Sequence, residues 1–175
     1  MKNLNQPLIS VITVVFNGDK YLEETILSVK NQSYKNIEFI IIDGGSTDNT
    51  INIIKKYESL IDLWVSEPDK GIYFAMNKGA NLAKGSFICF LNSSDGYFST
   101  TIEDFALNLI ESDFDYSFGP VIIKNEIGEQ IRIAHPLEHE RLFSRFYTPM
   151  PSPHSAVFIK RSFFMELGGY DTNFL

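Results

Sequence analysis

Short runs of apolar, β-branched residues alternate along this chain with stretches of helical spacing. Ile9 to Phe16 is nearly continuous in such residues, the pattern of a strand covered on both faces. Asn17 and Gly18 close it, and Leu22, Ile26 and Val29 then fall on one face of a helix that ends near Gln32 and Ser33. Ile37 to Ile42 predicts a second buried strand. After the turn Asp43-Gly44-Gly45, Ser46 or Thr47 is suited to cap a helix carrying Ile51, Ile54 and Tyr57. Leu63 to Ser66 reads as the third strand, Ile72 to Ala83 as a helix stopped at Gly85, and Phe87 to Leu91 as the fourth strand. A polar loop, Asn92 to Gly96, leads to a helix containing Phe105 and Leu109. The pattern then changes. Tyr116 to Ile123 and Gln130 to Ala134 flank a turn at Asn125 to Gly128 and predict an antiparallel pair. Pro136 to Pro153 is irregular, with Pro149, Pro151 and Pro153 near its end, and Ala156 to Ile159 and Arg161 to Leu167 read as a last strand and helix.

Four strand-helix units in series predict an α/β fold with a mostly parallel sheet flanked by helices, followed by an antiparallel portion in the C-terminal half. Ligands bind such sheets outside the carboxyl ends of the strands, where the strand order reverses. Three polar loops stand there: Thr13 to Asp19, Asp43 to Asp48, and Asn92 to Asp95.

Composition narrows the classes. The chain has 175 residues, 44% hydrophobic and 21% charged, which fits one soluble domain with a core that needs no disulfide or metal. Its single cysteine, Cys89, lies in the apolar run Phe87 to Leu91 and reads as a buried structural thiol. A net charge of −7 argues against general affinity for nucleic-acid backbones. No apolar stretch approaches the roughly 20 residues that span a bilayer. Met1 to Pro7 lacks the apolar region of a signal peptide, so the expected compartment is the cytoplasm.

Two carboxylates stand at strand ends. Asp43, before two glycines, either accepts hydrogen bonds from a base or ribose or orders its own turn, and both readings stay open. Asp95 in Asn92-Ser93-Ser94-Asp95-Gly96 suits a hard divalent ion completed by phosphate and water, against the simpler reading of a turn cap. His135 and His139 are separated by Pro136, which disfavours a helix aligning them as metal ligands. His154 follows the prolines and precedes a strand, where a histidine is usually structural or solvated but could reach the cleft. Neither the dinucleotide fingerprint nor a Walker A sequence is present.

Four stretches together resemble the family 2 glycosyltransferases of the GT-A fold. They are Ile9-Ser10-Val11-Ile12-Thr13-Val14-Val15-Phe16-Asn17, Leu22 to Tyr34, Glu38 to Asp48, and Ser66-Glu67-Pro68-Asp69-Lys70-Gly71-Ile72-Tyr73-Phe74-Ala75-Met76-Asn77-Lys78-Gly79. The last, with Gly85 and Phe90-Leu91-Asn92-Ser93, is similar to the branch containing colanic-acid and other bacterial surface-polysaccharide transferases. The resemblance implies a nucleotide-sugar site, with a UDP-sugar favoured as donor and a saccharide or lipid-linked acceptor. Thr13 and Asn17 would then lie at base and ribose, Asp43 would bind the base, and Lys70 and Asn77 would sit near the nucleotide. Asp95 would hold Mn²⁺ or Mg²⁺ against the diphosphate. His154 would stand on the acceptor side, and Gly168-Gly169-Tyr170-Asp171 matches the family's Gly-Gly-Phe-Asp turn. Transfer with inversion follows, the metal stabilising the leaving phosphate and a carboxylate base taking the acceptor's proton.

Asn92 and Ser94 replace acidic residues common in the family, and Phe74 replaces an Asp of close relatives. The family's base lies in an acidic motif beyond the position of Leu175, so the expectation is one GT-A domain lacking its C-terminal part. Two alternatives compete: a nucleotide-sugar-binding domain without turnover, and an NAD-binding dehydrogenase-like protein. For Leu142, Phe143, Phe146 and Tyr147, packing beneath the cleft competes with a peripheral contact at the inner face of the membrane.

Overall fold

The computed structural model describes residues 6–112, 114–125, 127–135 and 154–173. His139 and the aromatic run Leu142, Phe143, Phe146, Tyr147 lie outside the described residues. The strands are β1 (Ile9–Val15), β2 (Ile37–Asp43), β3 (Leu63–Ser66), β4 (Phe87–Phe90), β5 (Tyr116–Phe118), β6 (Val121–Lys124), β7 (Gln130–Ala134) and β8 (Val157–Lys160). The helices are α1 (Leu22–Lys30), α2 (Thr50–Lys56), α3 (Ile72–Leu82), α4 (Thr101–Ser112) and α5 (Arg161–Glu166).

Six strands form one sheet in the order β3-β2-β1-β4-β8-β5. The first four are parallel, while β8 runs antiparallel to both β4 and β5. β1 is buried at every position, which is why its sequence is an unbroken apolar run rather than an alternating one. Its odd positions Ile9, Val11 and Val15 pack with Leu22 and Ile26 of α1, Ile54 of α2 and Ile102 of α4. Its even positions Ile12 and Val14 pack with Ala75, Met76 and Ala80 of α3 and Phe164 of α5. Moving outward from β1 to β3, the chain crosses on the α1 and α2 side; returning to β4, it crosses on the α3 side. Right-handed crossovers require that change of face, and the strand order therefore reverses between β1 and β4. Close packing at the return depends on Gly79: a Cβ there would lie 2.4 Å from Cγ2 of Ile12. No helix among the described residues is long and apolar enough to cross a membrane.

Three local expectations are corrected. Neither Ser46 nor Thr47 caps α2, because Ser46 is bonded to Asp43 and Asn17 and Thr47 to Asn17; Asn49 precedes the helix instead. Gly85 does not stop α3 by a left-handed turn. The helix ends at Ala83 in extended geometry, and Gly85 is there for close approach, since a Cβ would lie 2.7 Å from the Ser10 nitrogen. Tyr116 to Ile123 is two strands, not one. Pro120 has no N–H for a ladder, so the run breaks at Gly119-Pro120: β5 joins the main sheet through β8, and only β6 forms the expected antiparallel pair with β7.

Candidate active site at the carboxyl edge of the sheet

The loops after β1 and β2 are bonded to each other. Asn17, with φ of 50°, turns its Oδ1 to accept the Thr47 N–H at 2.9 Å, while the Asn17 and Gly18 N–H groups donate to the hydroxyls of Ser46 and Thr50. A left-handed conformation is tolerated by Asn better than by most residues. The loop residue Asn17 remains exposed, and its Nδ2 donates no hydrogen bond among the described residues.

Asp43 sits at the end of β2 with no exposed surface. Its Oδ2 accepts the N–H groups of Gly45 and Ser46, both at 3.0 Å, and the Ser66 hydroxyl at 2.7 Å, while Oδ1 accepts the Ser46 hydroxyl. The carboxylate orders its own turn and fastens it to β3, which corrects the base-binding reading. Thr13 is corrected too. It alternates with Val11 and Val15 into the buried side under α1, fully inaccessible, and its hydroxyl finds no partner. Asn77 serves the fold rather than a ligand: its Nδ2 donates to the Tyr170 carbonyl at 2.8 Å and its Oδ1 accepts the Tyr170 N–H at 2.9 Å. Both ends of the amide are thereby committed to the Gly-Gly-Tyr turn.

Lys70 is differently placed. It lines a cleft of about 420 Å³ together with Val14, Val15, Phe16, Gly44, Asp69 and the first turn of α3. That volume lies within the range of small-ligand sites. Phe16 and Ile72 are 64% and 45% exposed, so the cleft offers apolar surface at its rim. The Lys70 ammonium stands 5.9 Å from the centre of the Phe74 ring, a cation-π contact where relatives would place an aspartate. No side chain caps α3, whose positive N-terminal end begins at Gly71 beside the cleft. The sequence reading assigned no role to Phe16, Asp69 or Ile72. Asp69 had a visible signal, its place in the Pro68-Asp69-Lys70-Gly71 turn after β3.

Across the strand reversal lies the Asn92 to Gly96 loop. Polar side chains on α1 and just after it hold it: the Thr25 hydroxyl donates to the Asp95 carbonyl at 2.7 Å, the Ser28 hydroxyl accepts the Tyr97 N–H, and Gln32, beyond the end of α1, donates to the Phe98 carbonyl. Burial raises the carboxyl of Asp95 above the usual aspartate range, and a hydrogen bond with Ser155 offsets only part of it. Nearby in sequence, Asn92 Oδ1 is buried without a partner, while the buried Tyr97 hydroxyl faces the Cys89 thiol. His154 begins the short turn that packs on β4; its ring lies 5.2 Å from Tyr170 and 6.1 Å from Tyr73, and its Nε2 is buried and unpartnered. Burial lowers its pKa, so the imidazole is neutral at physiological pH. Cys89 is inert, its thiol pushed up to about 12 chiefly by burial.

Among the described residues no cluster of three His, Cys, Asp or Glu side chains could enclose a metal ion. The donor chemistry nevertheless fits a hard cation. The Asp95 carboxylate and the unpartnered side-chain Oδ1 of Asn92 belong to one turn, closed by the Asp95 N–H donating to the main-chain carbonyl of Asn92 at 2.9 Å. Magnesium and manganese sites commonly take one or two protein oxygens and complete the shell with phosphate and water.

The family model described as glycosyl transferase family 2 matches residues 10–168. The chain belongs to that family. An uncharacterized glycosyltransferase of Mycobacterium tuberculosis is 33% identical over 174 residues, covering 96% of this chain and 64% of the relative. TuaG of Bacillus subtilis, named for teichuronic acid biosynthesis, is 35% identical over 116 residues, 65% of this chain and 46% of its own length. The chain thus spans between about half and two-thirds of these family 2 relatives. Among solved structures, Staphylococcus aureus TarS residues 1–349 superpose with a TM-score of 0.75 at 24% identity, covering 95% of this chain and 51% of that one. The mannosyltransferase PcManGT of Pyrobaculum calidifontis, solved with GDP-Man and Mn²⁺, gives 0.71 at 20% identity, covering 96% of this chain and 48% of that one. These likenesses carry the GT-A fold, and family membership removes the dehydrogenase reading.

Proposed function

We propose that this family 2 domain binds a nucleoside-diphosphate sugar in the Lys70 cleft and passes the sugar, with inversion, to a saccharide or lipid-linked acceptor in the assembly of a bacterial surface polysaccharide. The observation that carries the reading is the cleft itself. It opens at the carboxyl ends of β1 and β2, beside the reversal of strand order, apolar at its rim, with a lysine and the start of α3 inside, as a base followed by phosphates requires. TarS and PcManGT, whose fold this chain shares, were solved with UDP-GlcNAc and with GDP-Man respectively.

In this reading Phe16 and Ile72 flank the base, the exposed amide of Asn17 meets the ribose, and Lys70 neutralises phosphate charge. Asp95 and Asn92 Oδ1 would hold Mn²⁺ or Mg²⁺. That ion, when bound, stabilises the charge left on the departing diphosphate. The Asp95 loop is kept in place by Thr25, Ser28 and Gln32, so the oxygens are fixed before the ligand arrives. On the acceptor side, the neutral His154 would offer Nε2 to a sugar hydroxyl, with Tyr73 and Tyr170 packed beside it.

A thermal-shift panel of UDP, GDP, TDP, CMP and NAD, each with and without Mn²⁺, tests the reading, because a ligand selective for the folded state raises its melting temperature by mass action. The expected result is a Mn²⁺-dependent rise with one diphosphate and none with NAD. Slow, metal-dependent release of free sugar from the matching donor separates a competent transferase site from a domain that only binds. Absence of any diphosphate response would sink the assignment of the cleft.

A further inference from the structure

The acidic side chain that lines the cleft is not the one that ends β2. Asp43 is sealed, whereas Asp69 lines the cleft and keeps an oxygen open. Asp69 Oδ1 accepts the Gly71 N–H at 2.9 Å, which fixes the side chain against the start of α3. Oδ2 accepts no hydrogen bond among the described residues, and it lies over Gly44: a Cβ at position 44 would stand 2.9 Å from it. Gly44 is therefore the residue that lets a carboxylate from the β3 loop occupy the space above the end of β2. Gly44 is itself held, its N–H donating to the Val15 carbonyl at 2.9 Å, so floor and carboxylate are both fixed.

We propose that Asp69, resting on Gly44, is the specificity residue for the base, accepting a hydrogen bond from a ring N–H. The proposal rests on the cleft being the nucleotide site. An ionised carboxylate only accepts, so it selects bases that present an N–H at that edge and rejects those that present a bare ring nitrogen. Uracil and cytosine have nearly the same size and stacking surface but differ at N3, which carries a proton in uracil and a lone pair in cytosine. Guanine and adenine differ in the same way at N1. The chain therefore takes a UDP-type or GDP-type donor over its CDP-type or ADP-type counterpart. Two facing acceptors left unpaired in a partly buried site cost far more than a missing apolar contact, and about a tenfold preference or more is expected.

The test is isothermal titration of the full chain, with Mn²⁺ present, against UDP, CDP, GDP and ADP, for the wild type and for Asp69→Asn. Asn keeps the shape and the Gly71 contact while adding a donor, so the wild-type preference within the uracil-cytosine or guanine-adenine pair should shrink to near unity or invert. Gly44→Ala serves as the second variant. It leaves Asp69 intact but pushes its Oδ2 aside, and a smaller loss of the same preference is expected. Persistence of the full preference in both variants overturns the role of Asp69 while leaving the nucleotide site standing. Failure of the wild type to bind any of the four overturns the site and the proposal together, so the two failures are distinguishable.

Discussion

The two sides of the strand reversal are built on opposite terms. On the β2 side, the loops after β1 and β2 satisfy one another: Asn17, Asp43, Ser46, Thr50 and Ser66 all have partners within the protein. On the β4 side, Asn92 Oδ1 and His154 Nε2 are buried without partners, as is Thr13 Oγ1 on β1, and burial raises the carboxyl of Asp95 above the usual aspartate range. Buried polar groups are ordinarily paired, so the unpaired ones support the proposal that a ligand completes this part of the edge. The β2-side loops close on one another around Asp43, with the Lys70 cleft opening beside them, whereas the β4-side loop keeps buried polar atoms without partners.

The sharpest way to break that division is Asp43→Ala. Removing the fully buried carboxylate leaves two backbone N–H groups and two hydroxyls in part-buried positions without their acceptor, and a loss of about 2–3 kcal/mol is expected. Urea denaturation measures it. A near-neutral result, accompanied by lost nucleotide binding, would return Asp43 to the ligand and erase the contrast.

Next in size is Asn77→Ala, which removes both hydrogen bonds to Tyr170 and should cost about 1–2 kcal/mol. Tyr170 stacks on Tyr73 at 5.2 Å and packs edge-on against Phe90 and Phe164, so the loss should register as a lower melting temperature and loosened aromatic packing by near-ultraviolet circular dichroism. Lys70→Ala should do the reverse: stability stays within about 0.5 kcal/mol because the side chain is exposed. Nucleoside-diphosphate affinity should fall about tenfold, the scale of one charged contact to phosphate. Equal effects on folding and binding in either variant would blur scaffold and site.

How far the sequence reveals this arrangement differs between fold and site. β1, β2 and β4 are legible because a strand buried on both faces leaves an uninterrupted apolar run, and β3 matches its expected bounds, Leu63–Ser66. The division of Tyr116 to Ile123 was written in Pro120, but the apolar pattern continues across it and masks the break. At the site, strand ends locate the loops, yet the direction of each side chain depends on distant partners. Ser66, which helps to close off Asp43, lies 23 residues away, and the residues that turn Asn77 inward are 93 positions on. Sequence spacing does not record such pairings. Asp43 closes β2 and Asp69 lies in the loop after β3, and the sequence does not show that one is enclosed while the other rests over Gly44.

The smallest predicted effect concerns Asp95 and has an unusual sign. Burial raises its folded-state pKa above the ordinary value of 3.8, so the folded protein holds the proton more tightly than the unfolded chain. The associated stability is complete below the unfolded value and is lost as pH rises through the folded one. Near neutral pH the ionised carboxylate thus weakens the fold, and Asp95→Asn, which carries no charge, should melt slightly higher than the wild type. The gain should shrink as pH falls toward 3.8. His154 runs the other way: burial depresses its pKa below 6.5, so its contribution is present above that value and lost as pH falls through the folded pKa. Because both proteins keep His154, its effect cancels in their difference, which isolates Asp95. Adding Mn²⁺ with a diphosphate should invert the order, raising the wild type above the variant, since the carboxylate that costs stability alone is the one proposed to hold the ion. If Asp95→Asn melts lower than the wild type without ligand and responds equally to Mn²⁺, the carboxylate caps its turn and the open side of the reversal has no cation to complete it.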